Sequence, residues 1–563
     1  PGEAWQLTVG QDTFLVTKVV GPVGTSYAVA RPSIDALAIA ASFAASFGGT
    51  AGIAVSGAGA YARNDVRGST SALVESSTVG SATSVTVSAS SVATISAAIV
   101  GASVAIGGGG TTGIGVSIGI AIADNHIGGT RGGTPGPLTV SALVLRSSVT
   151  TPAALVVSAT AQQQIVAMVI AASAAIAAGG VVGVGASGAG AASMNTVVSD
   201  VTAAIDGSGL ATGQPVINAG STSVTALDRS TIRTLTLGAS IAAAFAGTVA
   251  VALSIGVSVA LNSIDTAVTS RLAAVSVTGG AGRVVQVTAD RSAVIDSLAV
   301  AASLAASGSG VVAGSIAGAG AAATNVILTR TTATIADSTV GSVVTPIGSV
   351  TVTATDASTI RAIIVAAAVA LSGGLVGISD SIGVTIARNL IGWRLDGLTE
   401  VSAPATVAAS ISDSTIISSG PIAVTAASNA SIDALVMALS VSIAGGLGGG
   451  ALTGAGVNAS NRIQVLVTAS VTGDPIATPR HTVSASSVTV RATDASRIRA
   501  NVAAASVGIA GGVVAGAVAV GVALAHNDVS GGAQASIVGM VVTATTVRVE
   551  AISAGGSPVA IGT

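Results

Sequence analysis

The chain has no cysteine, so disulfides and thiolate metal sites are excluded, and packing and hydrogen bonds must hold the fold. Aromatic residues make up 1% and charged residues 8% of its 563 positions, and Lys18 is the single lysine. With a net charge of −2, no basic patch exists to neutralise a phosphate backbone, and nucleic acid is not an expected partner. The three histidines, His126, His481 and His526, form neither an HExxH motif nor another ligand spacing, and no GGxGxD calcium nonapeptide occurs. No cofactor, metal centre or enzymatic activity is expected. A signal-type n-region is also missing before the first apolar segment, which suits a processed product or an excerpt of a longer chain.

What is present is a β-sheet vocabulary. Half of the residues are hydrophobic, almost all Ala, Val, Ile and Leu interleaved with Ser and Thr, and 73 are Gly. Disordered chains have the opposite composition. An Asn closes a small-residue segment at Asn64, Asn125, Asn195, Asn262, Asn325, Asn389, Asn461 and Asn527, which marks eight repeats of about 66 residues. The expected architecture is all-β: an elongated solenoid-like array over residues 34–527, flanked by partial repeats at 1–33 and 528–563.

Each repeat has two polar/apolar alternating segments, as in VILTRTTATIADSTV and SVTVTATDASTI, then a long apolar stretch split by Gly. Residues 97–123 carry no charge, and Gly107 to Gly110 interrupt the middle, so two strands joined by a Gly turn are expected as an apolar hairpin. Uncharged runs of this length also suit transmembrane helices. The central Gly runs, the β-branched arms and the missing aromatic belt weigh against them.

The second arm alternates strictly. Ile255, Val257, Val259 and Leu261 take one face, and Ser254, Gly256, Ser258, Ala260 and Asn262 take the other. Odd repeats instead place glycine at the large positions: Gly57 and Gly59, Gly188 and Gly190, Gly318 and Gly320, Gly454 and Gly456. These are expected to be close-packing positions, where small residues accept large neighbours and layers interdigitate. At the start of the apolar segment Arg233, Asp296, Arg361, Asp433 and Arg499 alternate in sign, so pairing of consecutive repeats would set opposite charges together. The recurring Asn has two readings, a ladder of side-chain amides or a residue tolerant of left-handed backbone. Asp228, Asp290, Asp356 and Asp494 recur just before the apolar segment, with Arg229 and Arg291 following two of them, and are read as surface ion pairs.

The segments ATIADSTV (Ala333 to Val340) and ASISDSTI (Ala409 to Ile416), followed by SVTVTAT or SVTVRAT and a Gly-split apolar stretch, resemble repeats of giant bacterial secreted or surface proteins. Leukotoxin-like and filamentous-haemagglutinin-like β-solenoids carry such segments. The resemblance implies an extracellular or cell-surface β structure used for adhesion, as a fibre, or to carry a toxin. The Gly-Gly-Asp turn usual between the exposed strands of that family is mostly missing here.

Two enzymatic motifs appear in this Gly-rich background. Gly183 to Gly188 fits the dinucleotide fingerprint GxGxxG, but no βαβ unit surrounds it. Gly115 to Gly119 fits GxSxG, but it lies inside a strand pattern and not at a strand-to-helix elbow. Asn429 and Asn458 begin N-glycosylation sequons, which carry little weight in a protein of bacterial type.

The expected function is therefore structural: a homopolymer of stacked β repeats forming a fibre, sheath or surface layer, with both ends stopping mid-repeat. A membrane-inserting toxin or pore is the alternative, since arms of about 12 residues are long enough for tilted membrane strands. Against it, the arms write no polar lumen. An adhesin stalk differs from the first reading only in having a binding tip.

Overall fold

A computed structural model of the chain describes residues 3–9, 12–21, 24–29, 32–81, 83–129, 136–210, 213–477 and 479–553. Its regular elements are strands throughout. Glu3–Val9, Asp12–Gly21 and Gly24–Val29 form a small antiparallel sheet at the start of the chain. From Ser33 onward the chain winds into flattened coils. Each coil runs up one parallel sheet, turns at Gly, and descends another parallel sheet.

The entry sheet contains Val85–Gly109, Ser148–Gly179, Val216–Ala246 and Gly280–Ser309 as successive neighbours. The return sheet contains Thr112–Ile127, Val182–Asp206, Val249–Ala273 and Val312–Ala336 in the same order. The two arms of one apolar segment thus belong to different sheets, which corrects the hairpin expectation. A Gly turn is compatible with a hairpin or an arch; here the backbone groups of each arm pair with neighbouring coils on both sides, and the arms face each other through side chains. Even the turn bonds along the stack, with Gly110 N–H donating to Gly48 O and Gly180 N–H to Gly109 O.

The opposite corner of the coil explains the D-S motif. Asp337 and Asp413 stand at φ 51° and 44°, in the left-handed region, as do Ser76, Arg146 and Ala274 at the corners of other coils. The next residue is a buried Ser whose hydroxyl donates back across the bend, Ser338 to the Ala336 carbonyl and Ser414 to the Ser412 carbonyl, both at 2.7 Å. Each hydroxyl also accepts from the coil before: Ser338 N–H donates to Ser414 Oγ at 3.0 Å.

The coil has two zones of opposite design. In the lower zone, the body, large aliphatic residues such as Val201, Ile205, Val224, Ile264, Val268 and Leu272 point inward and are fully or almost fully buried. Burial of each contributes about 1.5–3 kcal/mol. Thr86, Ser88, Ser90 and Thr94 of the body point outward. In the upper zone, the blade, the pattern inverts. Ala250, Ala252, Ser254, Gly256, Ser258 and Ala260 point inward and are buried, whereas Val251, Leu253, Ile255, Val257 and Leu261 point outward and are 36–47% exposed.

Only small residues fit inside the blade, because its sheets approach far inside the ~10 Å spacing of ordinary face-to-face sheets. A Cβ added at Gly101 would lie 2.1 Å from the Ile120 carbonyl oxygen, and one at Gly256 would lie 2.3 Å from that of Ala302. Serines cross-link the gap. Ser42 meets Ser56 at 2.5 Å, Ser103 meets Ser117 at 2.6 Å, and Ser173 meets Ser187 at 2.7 Å. Ser240 extends the chain of hydroxyls by donating to Ser187, and Ser254 by donating to Ser240.

Candidate functional site

The outer faces of the blade are the most unusual surface of the molecule. On the return face Ile118, Ile255, Ile382 and Val520 are 47–59% exposed, and on the entry face Leu37, Phe43, Ile241 and Val507 are 44–72% exposed. About 12 residues of strand height, with neighbouring strands ~4.8 Å apart over the whole stack, give each face about 1,500 Å². Contiguous apolar patches beyond a few hundred Å² mark interaction sites.

The return face is corrugated. Along the stack, Gly57 pairs with Ile118, which pairs with Gly188, and the row continues through Ile255, Gly318, Ile382 and Gly454 to Val520. Two residues further on, Gly59, Gly190, Gly320 and Gly456 alternate in the same way with Ile120, Val257, Val384 and Val522. These glycines are not the close-packing positions expected from sequence. A Cβ at Gly59, Gly188, Gly190, Gly320, Gly454 or Gly456 meets nothing within 4 Å, and one at Gly57 or Gly318 touches a single atom at 4.0 or 3.9 Å. They face outward as furrows between ridges, and the inward neighbours of the GAG motifs are the alanines. Close packing falls instead to Gly101, Gly107, Gly119, Gly238 and Gly256.

One carboxylate interrupts the apolar row two residues before the first furrow row. Asp380 stands between Ile316 and Leu452 on the adjacent strands, its Oδ1 has no partner, and desolvation by these apolar neighbours pushes its pKa up.

A polar belt underlines both faces. On the entry side Arg233 approaches Asp296 at 3.6 Å, Arg361 reaches Asp296 at 3.1 Å, and Arg499 lies 3.8 Å from Asp433. All five side chains are a third or more exposed, so each pair is worth a fraction of a kcal/mol. On the return side Arg462 is bound to Glu400 at 3.4 Å and to Asp528 at 2.9 Å, and it stacks 3.5 Å over the Trp393 ring. His126 and Asp124, both buried, are joined at 2.7 Å.

At the same level inside the coil, the eight asparagines form one column. Asn64 Nδ2 donates to Asn125 Oδ1, and the relay continues through Asn195, Asn262, Asn325, Asn389 and Asn461 to Asn527, every link 2.8 Å long. None of them has a positive φ. The backbone is plain strand, and the side-chain amide is what the position uses.

The acids before the blade divide. Arg229 and Asp290 make a partly exposed pair at 2.8 Å. Asp228, Arg291 and Asp356 are buried, which corrects their reading as surface ion pairs. They stack in register on successive coils because parallel pairing sets residues one repeat apart side by side. Arg291 donates through Nε to Thr266 Oγ1 at 2.6 Å and through Nη1 to Asp356 Oδ2 at 3.1 Å. Asp228 accepts from Ser199 at 2.8 Å, its Oδ1 is unpartnered, and burial pushes its pKa up against the opposing pull of Arg291. Aligning the acids and arginines of successive repeats would have revealed this column.

The GxGxxG stretch lies within the strand Val182–Asp206, and Ser117 of GxSxG is buried against Ser103. Among the described residues no group of three or more acidic or histidine side chains is placed to hold a metal ion, and no helix is long and apolar enough to cross a membrane. No protein-family model, curated protein or solved structure matches this chain.

Proposed function

We propose that this chain is an elongated array of eight repeats that works as an extracellular or cell-surface structural protein, building a fibre, sheath or surface layer by lateral association. The observation that carries the reading is the inverted blade. A sheet pair that buries Ala, Ser and Gly and presents Ile, Leu, Val and Phe on both outer faces is incomplete in water, and covering those faces supplies the apolar burial that its interior lacks. Parallel pairing satisfies the backbone along the stack, so the faces offer side chains alone and association is driven by shape and apolar area. The sequence resemblance to bacterial surface β-solenoids points to the same setting.

A second reading, insertion of the blade into a lipid bilayer, is favoured by the tips, where Leu447 and Val513 stand 59% and 83% exposed. Negative-stain electron microscopy in detergent-free buffer, across a concentration series, separates the two. Filaments or sheets of uniform width are expected. Dispersed single particles that bind phosphatidylcholine vesicles would overturn the structural reading in favour of membrane insertion.

A further inference from the structure

A lipid surface has no use for relief, but the return face has it: at two levels of the strands, that of Gly188 and Ile255 and that of Gly190 and Val257, glycine furrows alternate with isoleucine or valine ridges strand by strand, giving a period of about 9.6 Å along the stack. A rigid partner with the same period matches it, and the partner at hand is a second copy of this chain. We propose that two copies pair return face to return face around a two-fold axis parallel to the strands, each seating its ridges in the furrows of the other. This rests on the eight-repeat, self-associating reading above.

The symmetry is set by geometry. The axis of an isologous face-to-face contact lies in the plane of the interface. Running along the stack, it would lay each apolar tip on the other copy's polar body. Running parallel to the strands, it keeps tip beside tip and belt beside belt while reversing the order of the coils. With eight coils in full overlap, the first faces the eighth and the third faces the sixth, so at those two levels an odd furrow meets an even ridge without any slide. Gly188 then meets Ile382, and Gly318 meets Ile255. The contact covers about 1,500 Å² per copy, or about 3,000 Å² in all, within the range of obligate homodimers.

Two residues before the first furrow row the contact sets large side chains together, Leu253 against Ile316 and Val116 against Leu452, and there Asp380 meets Ala186 of the other copy. No charged side chain faces it from its own sheet, where Ile316 and Leu452 flank it across the ladder and Ile378 and Ile382 along the strand. Burying that carboxyl against Ala186 favours its neutral form, so the test is run at about pH 5 as well as at neutral pH.

Because the chain lacks cysteine, introduced thiols are the only ones present. In the double variant G188C/I382C the two thiols sit three strands apart within one chain, about 14 Å, beyond the ~7 Å limit for a disulfide. Across the proposed axis they are opposed. Neither change touches the core, since Gly188 has open space beyond it and Ile382 is 59% exposed. Circular dichroism verifies that the strand content is kept. Mild oxidation of the full-length variant is expected to convert most of the chain to covalent dimer on a non-reducing gel. The pair I382C/V520C, exposed positions whose nearest approach across the proposed axis is three strands off, about 14 Å, is expected to remain at collisional background. Equal cross-linking of both variants, or none in either while sedimentation still shows association, overturns this interface and leaves self-association standing. A chain that sediments as a monomer at every concentration overturns both.

Discussion

Gly238 lies on the inner side of the blade, and a methyl group there would sit 2.1 Å from the Val257 carbonyl oxygen and 2.7 Å from its carbon, where ordinary contact begins at 3.4 Å. Both sheets are held by backbone ladders on either side, so the clash has no flexible side chain to displace. Overpacking of this kind costs about 1–3 kcal/mol. Replacing Gly by Ala recovers about 0.4–1 kcal/mol from the unfolded chain, so Gly238→Ala should destabilise by about 1–2 kcal/mol net. Gly190→Ala, on the outer face with nothing within 4 Å, keeps the gain without the clash and should be neutral or mildly stabilising. Stacked repeats unfold in segments, so hydrogen exchange read by mass spectrometry is the assay, comparing Ser230–Ala246 and Val249–Leu261 in the two variants. Faster exchange across that segment in Gly238→Ala and none in Gly190→Ala is the expected result. Equal protection in both would refute the assignment of the inner face, and loss of protection in Gly190→Ala alone would restore the glycine assignment expected from sequence.

Two further changes test the interior. Asn262→Ala breaks two links of the amide column, leaving Asn325 Oδ1 and a donor of Asn195 without their partners at a cost of about 2–4 kcal/mol, whereas Asn527→Ala ends a single link and should cost about half as much. Urea unfolding measures the difference, and equal midpoint shifts would argue against the column. Asp228 binds its proton more tightly in the fold than in the unfolded chain, because burial pushes its pKa up, so its contribution to stability falls as pH rises through and above the usual carboxylate range. Asp228→Asn should flatten that decline, seen as a smaller drop in urea midpoint between about pH 4 and pH 8. An unchanged slope would place the titration elsewhere.

Strand content and the alternation of side chains were legible in the sequence, since period 2 is a local property of four to eight residues. The recurrence of Asn was legible too, because parallel pairing in register turns a sequence period into a spatial column. Other features were not. Ile255 and Ser254 alternate, but hydrophobicity does not decide which of them faces inward when the small face is itself nearly apolar. The distance between the two sheets decides it, and that distance is set by Gly101, Gly238 and Gly256 meeting backbone on the opposite side. The same tertiary choice sent Gly57, Gly188, Gly318 and Gly454 outward. It also made arches from segments that read as hairpins, because the hydrogen-bonding partner of each arm lies about 60–70 residues away in the next coil and not across the turn. The sequence by itself determined a strand-rich, cysteine-free repeat with small-on-one-side arms. Only the tertiary structure decided that most large side chains stay outside, because over most of the blade the sheets leave room only for Ala, Ser, Gly and Thr between them.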